Sequence, residues 1–267
     1  MGKVDGDDSI VNKPLNLSVL ILAKNEENNI ADCIKGMLFA GEVIVIDDFS
    51  TDRTAEIAKS LGARVVQHAM EGNWGQQQTF AIEQAKYEWV YFIDADERMT
   101  DRLAEEIKRV VEKGEKYTYR NARLSYMYGQ QIRHGGWFPD YGIHLFPKKG
   151  SYVTGFVHPQ IHTDYPEKKL PVEAYMIHYP YRDWEHYVSK LNFYTTLAAK
   201  KKAAEGKKAG FLDIIGHSLA GFFKIFFLKS GWRDGKIGVI LAFCHTYSEI
   251  MKYTKLYYLG HEGNAKK

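Results

Sequence analysis

The chain of 267 residues has only two cysteines, Cys33 and Cys244. They lie far apart in sequence, inside stretches that read as helix. This excludes a disulfide framework and a zinc-ligand spacing, and it suits a reducing compartment. Long uncharged apolar runs are also missing. No stretch of about 18 such residues occurs, so an ordinary membrane-spanning helix is not expected. Met1 to Pro14 is polar and Asp-rich and has no apolar signal region, which argues against secretion. Charge of one sign is scarce, with a formal net charge of +3. No nucleic-acid motif is present and the aromatics are not interleaved with the basic run, so no nucleic acid is expected as a partner. What remains is an ordinary globular composition, 45% apolar and 26% charged, in a chain long enough for one sizeable core. Tyrosine (18) and phenylalanine (14) are plentiful, suited to sugar faces, membrane interfaces or core filling.

The first hundred residues alternate between two kinds of segment. Short continuous apolar runs at 17–23, 42–47 and 88–94 read as buried strands, and 63–67 as a further strand. Helical patterns follow at 26–39, 53–61, 75–86 and 101–113, with caps offered by Ser50, Thr51 and Asp52 and a stop at Gly114. Four such alternations predict parallel βαβ units and a doubly wound α/β sheet. After residue 114 the pattern changes to short strands at 117–127, 142–146, 152–157 and 172–178. From 183 onward it is helical, over 184–204, 211–229 and 236–258.

Ligands of doubly wound sheets bind at the carboxyl ends of the strands. Here those ends carry Asp47-Asp48-Phe49-Ser50-Thr51-Asp52 and, about 46 residues later, Asp94-Ala95-Asp96-Glu97. Either segment alone also reads as a polar capped turn. Strand alternation would point Asp94 and Asp96 the same way. Carboxylates that close repel, and a divalent cation relieves the repulsion; oxygen ligands favour Mg²⁺ or Mn²⁺ over zinc.

The two acidic segments together, with the opening strand Ser18-Val-Leu-Ile-Leu-Ala-Lys-Asn-Glu-Glu27, resemble the inverting family 2 glycosyltransferases of GT-A fold. Further segments resemble the branch that includes bacterial lipopolysaccharide-core β-glucosyltransferases: Lys24 to Glu27, Arg133 to Tyr141, Val157-His158, His178-Tyr179 and Gly231 to Gly235. The likeness covers roughly residues 17–258. It implies a GT-A-type, mostly parallel sheet with a helical C-terminal appendage. The implied division is an N-terminus of loose order over 1–16, a catalytic domain over 17–180 and a helical region over 181–267 that associates with membrane or with a second copy. It also implies a UDP-sugar donor, with Asp48 on the uracil, Ala23, Lys24 and Glu26 lining the nucleotide pocket, and Asp94 near the ribose or the metal. Asp96 would be the metal ligand, and His178 a further one. A strand-end histidine bonded to backbone is the competing reading of His178. Gly136 and Trp137 would lie at the sugar, with packing the alternative for Trp137. The acceptor implied is a glycan or a lipid-linked glycan, and the sugar a hexose, glucose being the one expected.

An inverting transfer needs a base for the acceptor hydroxyl. Related sequences carry Glu after the histidine of the Val157-His158 segment, and this chain has Pro159. Asp140 and His158 are the two substitutes, Asp140 being favoured because a carboxylate is deprotonated at neutral pH without tuning. The apolar segment 211–229, flanked by Lys224, Lys229 and Arg233 and preceded by the basic cluster 200–208, reads either as an interfacial helix on an anionic membrane or as a packed subdomain or oligomer interface. The expected location is the cytoplasmic face of the cell membrane. Two rival readings are a non-catalytic nucleotide-sugar-binding scaffold, which Pro159 favours, and a sugar-nucleotide pyrophosphorylase, which the absence of glycine from 24–29 disfavours.

Overall fold

The structure, a computed structural model, describes residues 14–156 and 159–261. The chain divides into two compact units, one built from the residues up to Asn121 with Ile143–Ala174, the other from Ala122–Gly142 with Tyr175 onward.

The first unit opens with β1 (Leu15–Ala23), α1 (Ile30–Lys35), β2 (Ala40–Asp47), α2 (Thr54–Ser60), β3 (Arg64–Gln67), α3 (Trp74–Gln84) and β4 (Trp89–Asp94). Next come β5 (Glu97–Arg98), α4 (Asp101–Lys113) and β6 (Thr118–Met127), which ends in the second unit, as does the short β7 (Gln130–Gln131). The chain returns through β8 (Asp140–Pro147) to β9 (Tyr152–Thr154), β10 (Gln160–His162) and β11 (Glu167–Lys169). Strand order is β3-β2-β1-β4-β8-β6. The pairs β1–β2, β1–β4 and β2–β3 are parallel and β4–β8 is antiparallel.

The strands read as unbroken apolar runs because both faces of the sheet are covered. On one face Leu20, Ile44, Val90 and Phe92 meet Ala81, Ile82 and Ala85 from α3 and its end. On β1 the alternate residues Leu17, Val19 and Ile21 are equally buried, and α4 packs against that strand. Helix α4 stops at the expected Gly114, at φ +70°, and starts at a cap not read from the sequence, the Thr100 hydroxyl, which accepts from Leu103 N–H at 3.3 Å. Gly75 is required where α3 begins, since a Cβ there would sit 2.8 Å from the Gly155 carbonyl oxygen.

The expected doubly wound, mostly parallel sheet with a helical C-terminal region is present. Three differences have physical causes. Helix α1 spans six residues instead of the expected 26–39, because Glu26 and Glu27 give their N–H groups to the side chains of Thr54 and Asp52 rather than to a helical turn. Strand β9 stops at Thr154 because Gly155 and Phe156 turn their carbonyls to Gly75 and Trp74 N–H. The short polar strands β10 and β11 carry no apolar periodicity and had no signal in the sequence. Residues 1–13 lie outside the described residues.

The second unit pairs β12 (Tyr175–His178) in parallel with the distal half of β6. Then follow α5 (Trp184–Ala204), α6 (Phe211–Phe223), a π-helical turn Lys224–Leu228, a 3-10 turn Gly231–Asp234 and α7 (Gly235–His261). Helices α5 and α6 both pack along α7. The run 211–228 has a mean hydropathy of 1.6, enough by length and composition to cross a membrane, although the sequence reading expected no such segment. Asp213 and Lys224 interrupt the run, which is why it contains no long uncharged stretch.

Candidate active site

The site residues of the first unit stand at the carboxyl ends of β1, β2 and β4. Register puts Ala23 of β1 opposite Asp47, and Leu22 opposite Asp94. With strands roughly 4.8 Å apart, the ends of β2 and β4 lie on the order of 10 Å from each other, astride β1.

Asp47 and Asp48 have opposite roles. Asp47 is fully buried and its carboxylate accepts from Ser50 N–H and Gln67 Nε2, each at 3.3 Å. Asp48, the first residue past the strand, is partly buried. It accepts from Lys24 Nζ at 2.8 Å and from Met70 N–H at 3.1 Å. Desolvation pushes its carboxyl up, but the Lys24 hydrogen bond, the Met70 N–H and the charges of Lys24 and His68 outweigh that and hold it below the usual carboxylate range. Its partner at the end of β3, the Met70 N–H, is a backbone group with no sequence signal. His68 nearby stacks on Phe80 at 3.8 Å and bonds Gln77 at 2.6 Å through Nδ1.

The loops after β1 and β2 are laced together. Asn25, at φ +56°, gives its N–H to Ser50 Oγ at 2.9 Å and takes Thr51 N–H on Oδ1 at 2.8 Å. Ala23 is buried. The Glu26 carboxylate accepts from Asn29 Nδ2 at 2.8 Å, so it is held against its own loop.

At the end of β4, Asp94 is the last strand residue and exposed, while Asp96 lies in the two-residue turn with Ala95 and is half-buried. The turn, not strand alternation, therefore sets the direction of Asp96. Buried Glu97 accepts the Asp94 N–H at 3.0 Å. Arg98 Nη1 donates to the carbonyls of Ala95 and Glu97 and Nη2 to Asn29 Oδ1. Arg98 and Glu97 thus fix the acidic turn, a role that the sequence reading did not assign. Cys33 beneath it donates to the Asp94 carbonyl at 3.5 Å, and burial pushes its thiol far up. Among the described residues no group of three or more His, Cys, Asp or Glu side chains could hold an ion. Two carboxylates, those of Asp94 and Asp96, stand at this turn. Mg²⁺ is commonly held by one or two carboxylates, with substrate phosphates and water completing its shell.

Of the remaining candidates, His178, Asp140, Gly136 and Trp137 belong to the second unit. His178 ends β12. Asp140 begins β8, and its Oδ2 accepts from Arg123 Nε at 3.0 Å and Nη2 at 2.6 Å. His158 lies outside the described residues. Gly135 and Gly136 both have positive φ, +65° and +86°. Gly135 donates to the Lys229 carbonyl at 2.9 Å, and the space a Gly136 side chain would need is taken by the Lys229 side chain. Trp137 packs on a core of Met127, Ile132, Tyr187, Ile237 and Leu241, and borders a cavity of about 210 Å³ with Tyr181, Lys190 and His245. His134 joins the 231–235 segment. Its Nδ1 lies 2.6 Å from Asp234 Oδ1, and its N–H donates to Oδ2 at 2.8 Å.

Residues 18–162 match the model of glycosyl transferase family 2. The chain belongs to that family. An uncharacterised glycosyltransferase of Rickettsia bellii is 29% identical over 252 residues, covering 90% of this chain and 85% of its own. The lipopolysaccharide core biosynthesis glycosyltransferase LpsC of Rhizobium meliloti is 28% identical over 258 residues, covering 91% and 92%. Among solved structures, TarS of S. aureus has a TM-score of 0.44 at 14% identity, covering 94% of this chain and 92% of that one. The glucosyl-3-phosphoglycerate synthase of Mycobacterium tuberculosis, crystallised with Mn²⁺, UDP and its product, has a TM-score of 0.43 at 18% identity and covers 63% and 73%. The chain is thus a glycosyltransferase of family 2.

Proposed function

We propose that this family 2 glycosyltransferase moves a hexose, glucose foremost, from a UDP-sugar to a glycan or lipid-linked acceptor of the bacterial envelope, inverting the anomeric configuration to give a β-linkage. The observation that carries the reading is the paired placement of Asp48 and the Asp94–Asp96 turn at adjoining strand ends astride β1. In this reading Asp48 takes the uracil beside Ala23, Lys24 and Glu26, and Asp94 and Asp96 face the ribose and diphosphate. Gly136 and Trp137 lie at the sugar. Asp94 and Asp96 would hold Mg²⁺ or Mn²⁺, with His178 as a further ligand. Such an ion, when bound, neutralises charge on the departing diphosphate.

The acceptor oxygen forms a bond to the anomeric carbon as the bond from that carbon to the diphosphate oxygen breaks. UDP leaves, and the hydroxyl proton passes to a base. We assign the base to Asp140, whose carboxylate Arg123 orients through two hydrogen bonds; His158 is the alternative. LpsC, which carries a lipopolysaccharide-core name, supports an envelope acceptor. The apolar helical region supports work at the cytoplasmic face of the membrane.

The test is calorimetry of a panel of nucleotide sugars, with and without Mn²⁺, on the wild type and Asp96→Ala, together with turnover of the sugar that binds. Metal-dependent binding of one UDP-sugar, lost in Asp96→Ala and followed by turnover, is expected. Binding without any turnover, even hydrolysis, would favour the scaffold reading that Pro159 suggests. No binding at all would remove the nucleotide-sugar reading.

A further inference from the structure

In a helix of a water-soluble unit the apolar stripe faces the core and the polar stripe faces solvent. Helix α6 inverts this. Its inner side, with Ser218 and Gly221, is turned to α7. Ser218 is 4% exposed, and a Cβ on Gly221 would come 3.2 Å from Glu249 Cγ. Its outer side carries Leu212, Ile215, Leu219, Phe223 and, in the π-helical turn, Phe227, all between 43% and 81% exposed. The last four of these recur every fourth residue, so they form one stripe. Helix α7 adds a second outer stripe, Ile240, Phe243, Tyr247 and Ile250, at 38% to 61% exposure. The stripes adjoin through the ring contact of Phe222 with Phe243, 5.3 Å between centroids. Only 6% of the run 211–228 is buried.

Charge decides what covers this face. Residues 200–236 contain nine Lys or Arg and three Asp or Glu. Asp234 is buried on His134 and Glu205 pairs with Lys207 at 2.9 Å, which leaves an excess of positive charge along this stretch. In a twofold dimer the same patch meets itself, which would bring two basic borders together. An anionic leaflet is the complement of an apolar face rimmed by Lys and Arg. Trp232, 55% exposed between Lys229 and Lys236, is the residue type that settles at the headgroup level. Lying along a surface suits this helix better than crossing a bilayer, because its inner side is occupied by α7 and Asp213 and Lys224 interrupt the run.

We propose that the outer stripes of α6 and α7 dock in the plane of a bilayer rich in anionic phospholipid. The proposal deepens the membrane-side reading above and rests on it for the choice of leaflet. The full chain is mixed with vesicles of equal parts phosphatidylglycerol and phosphatidylethanolamine, or of phosphatidylcholine alone, and floated on a density gradient. UDP-sugar binding is measured on the same samples. The wild type is expected to float with the anionic vesicles and at least about tenfold less with the zwitterionic ones, and added salt should weaken it. The double variant Leu219→Glu/Phe223→Glu should lose flotation by about tenfold or more with its thermal midpoint unchanged, since both residues are exposed. Lys208→Glu/Lys224→Glu should lose it to a similar extent. Wild-type protein that stays at the bottom with anionic vesicles overturns the proposal, as does a Leu219→Glu/Phe223→Glu protein that floats normally. A stable dimer that the same substitutions dissolve, without flotation, assigns the face to a second copy and also overturns it. Flotation without UDP-sugar binding would sink the donor reading and leave the docking intact; the reverse result would do the opposite.

Discussion

Asp47 and Asp48 are chemically identical neighbours with separate duties because β2 ends between them. Asp47 is the last strand residue and points inward, where Ser50 and Gln67 satisfy it; Asp48 is the first residue beyond and meets Lys24 and the Met70 N–H. The candidate base has a partner of its own: Arg123 donates twice to the Asp140 carboxylate. Asp140→Asn keeps the size and one acceptor oxygen for Arg123 but removes the proton acceptor. Turnover should fall by about 10²–10⁴ while UDP-sugar affinity stays within about twofold. Steady-state rates together with calorimetry check this. A variant with near-normal turnover passes the role to His158, for which His158→Ala is the matching measurement. The acidic residues were legible from the sequence because each follows an apolar run, and a strand end is a local signal. Arg98, Glu97 and the Met70 N–H were not, because their importance lies in hydrogen bonds to groups that only folding brings close.

At the scale of elements, two sequence segments a hundred residues apart become one structure. The turn at 133–136 is held to the 3-10 turn 231–234 by His134 on Asp234, by Gln130 Nε2 on the Asp234 carbonyl, and by Gly135 N–H on the Lys229 carbonyl. Asp234 is 7% exposed. Replacing it by Ala strips both the N–H and the imidazole of His134 of their acceptor, and should cost about 1–3 kcal/mol. Asp234→Asn, which retains one acceptor oxygen, should cost less. Chemical denaturation of both variants measures the difference; equal midpoints for wild type and Asp234→Ala would show the pair to be dispensable. The helices themselves were readable. Helix α4 was expected over 101–113 with its stop at Gly114, and α5 over 184–204, and both have those bounds. Helix α1 was overestimated because the side chains that capture its first N–H groups, Asp52 and Thr54, come from another loop.

For the whole molecule, stability against acid follows from groups whose folded pKa values are depressed. Burial is the largest cause lowering His245 below 6.5; Glu249 opposes it, while Lys252, Lys224 and Lys229 add to it. The folded protein therefore resists protonation that the unfolded chain accepts, and stability is lost as pH falls through 6.5 and below. Asp48 and Asp52 sit below the ordinary 3.8, their hydrogen bonds outweighing desolvation, so their contribution is present above that value and lost in stronger acid. Thermal midpoints should decline in two limbs, and His245→Gln should flatten the first and leave the second. A midpoint constant from neutrality to pH 5 would contradict the assignment. By itself the sequence determined the α/β order, the central buried strands, the stop of α4 at Gly114 and the acidic strand ends, because periodicity, helix stops and strand termination act over a few residues. Tertiary structure alone decided that Asp47 is fully buried and Asp48 only partly, that His134 finds Asp234, and that the apolar stripe of α6 faces outward. Each of these depends on which distant group occupies the space beside a side chain, and hydrophobic burial and hydrogen bonding are settled by that neighbour and not by the local pattern.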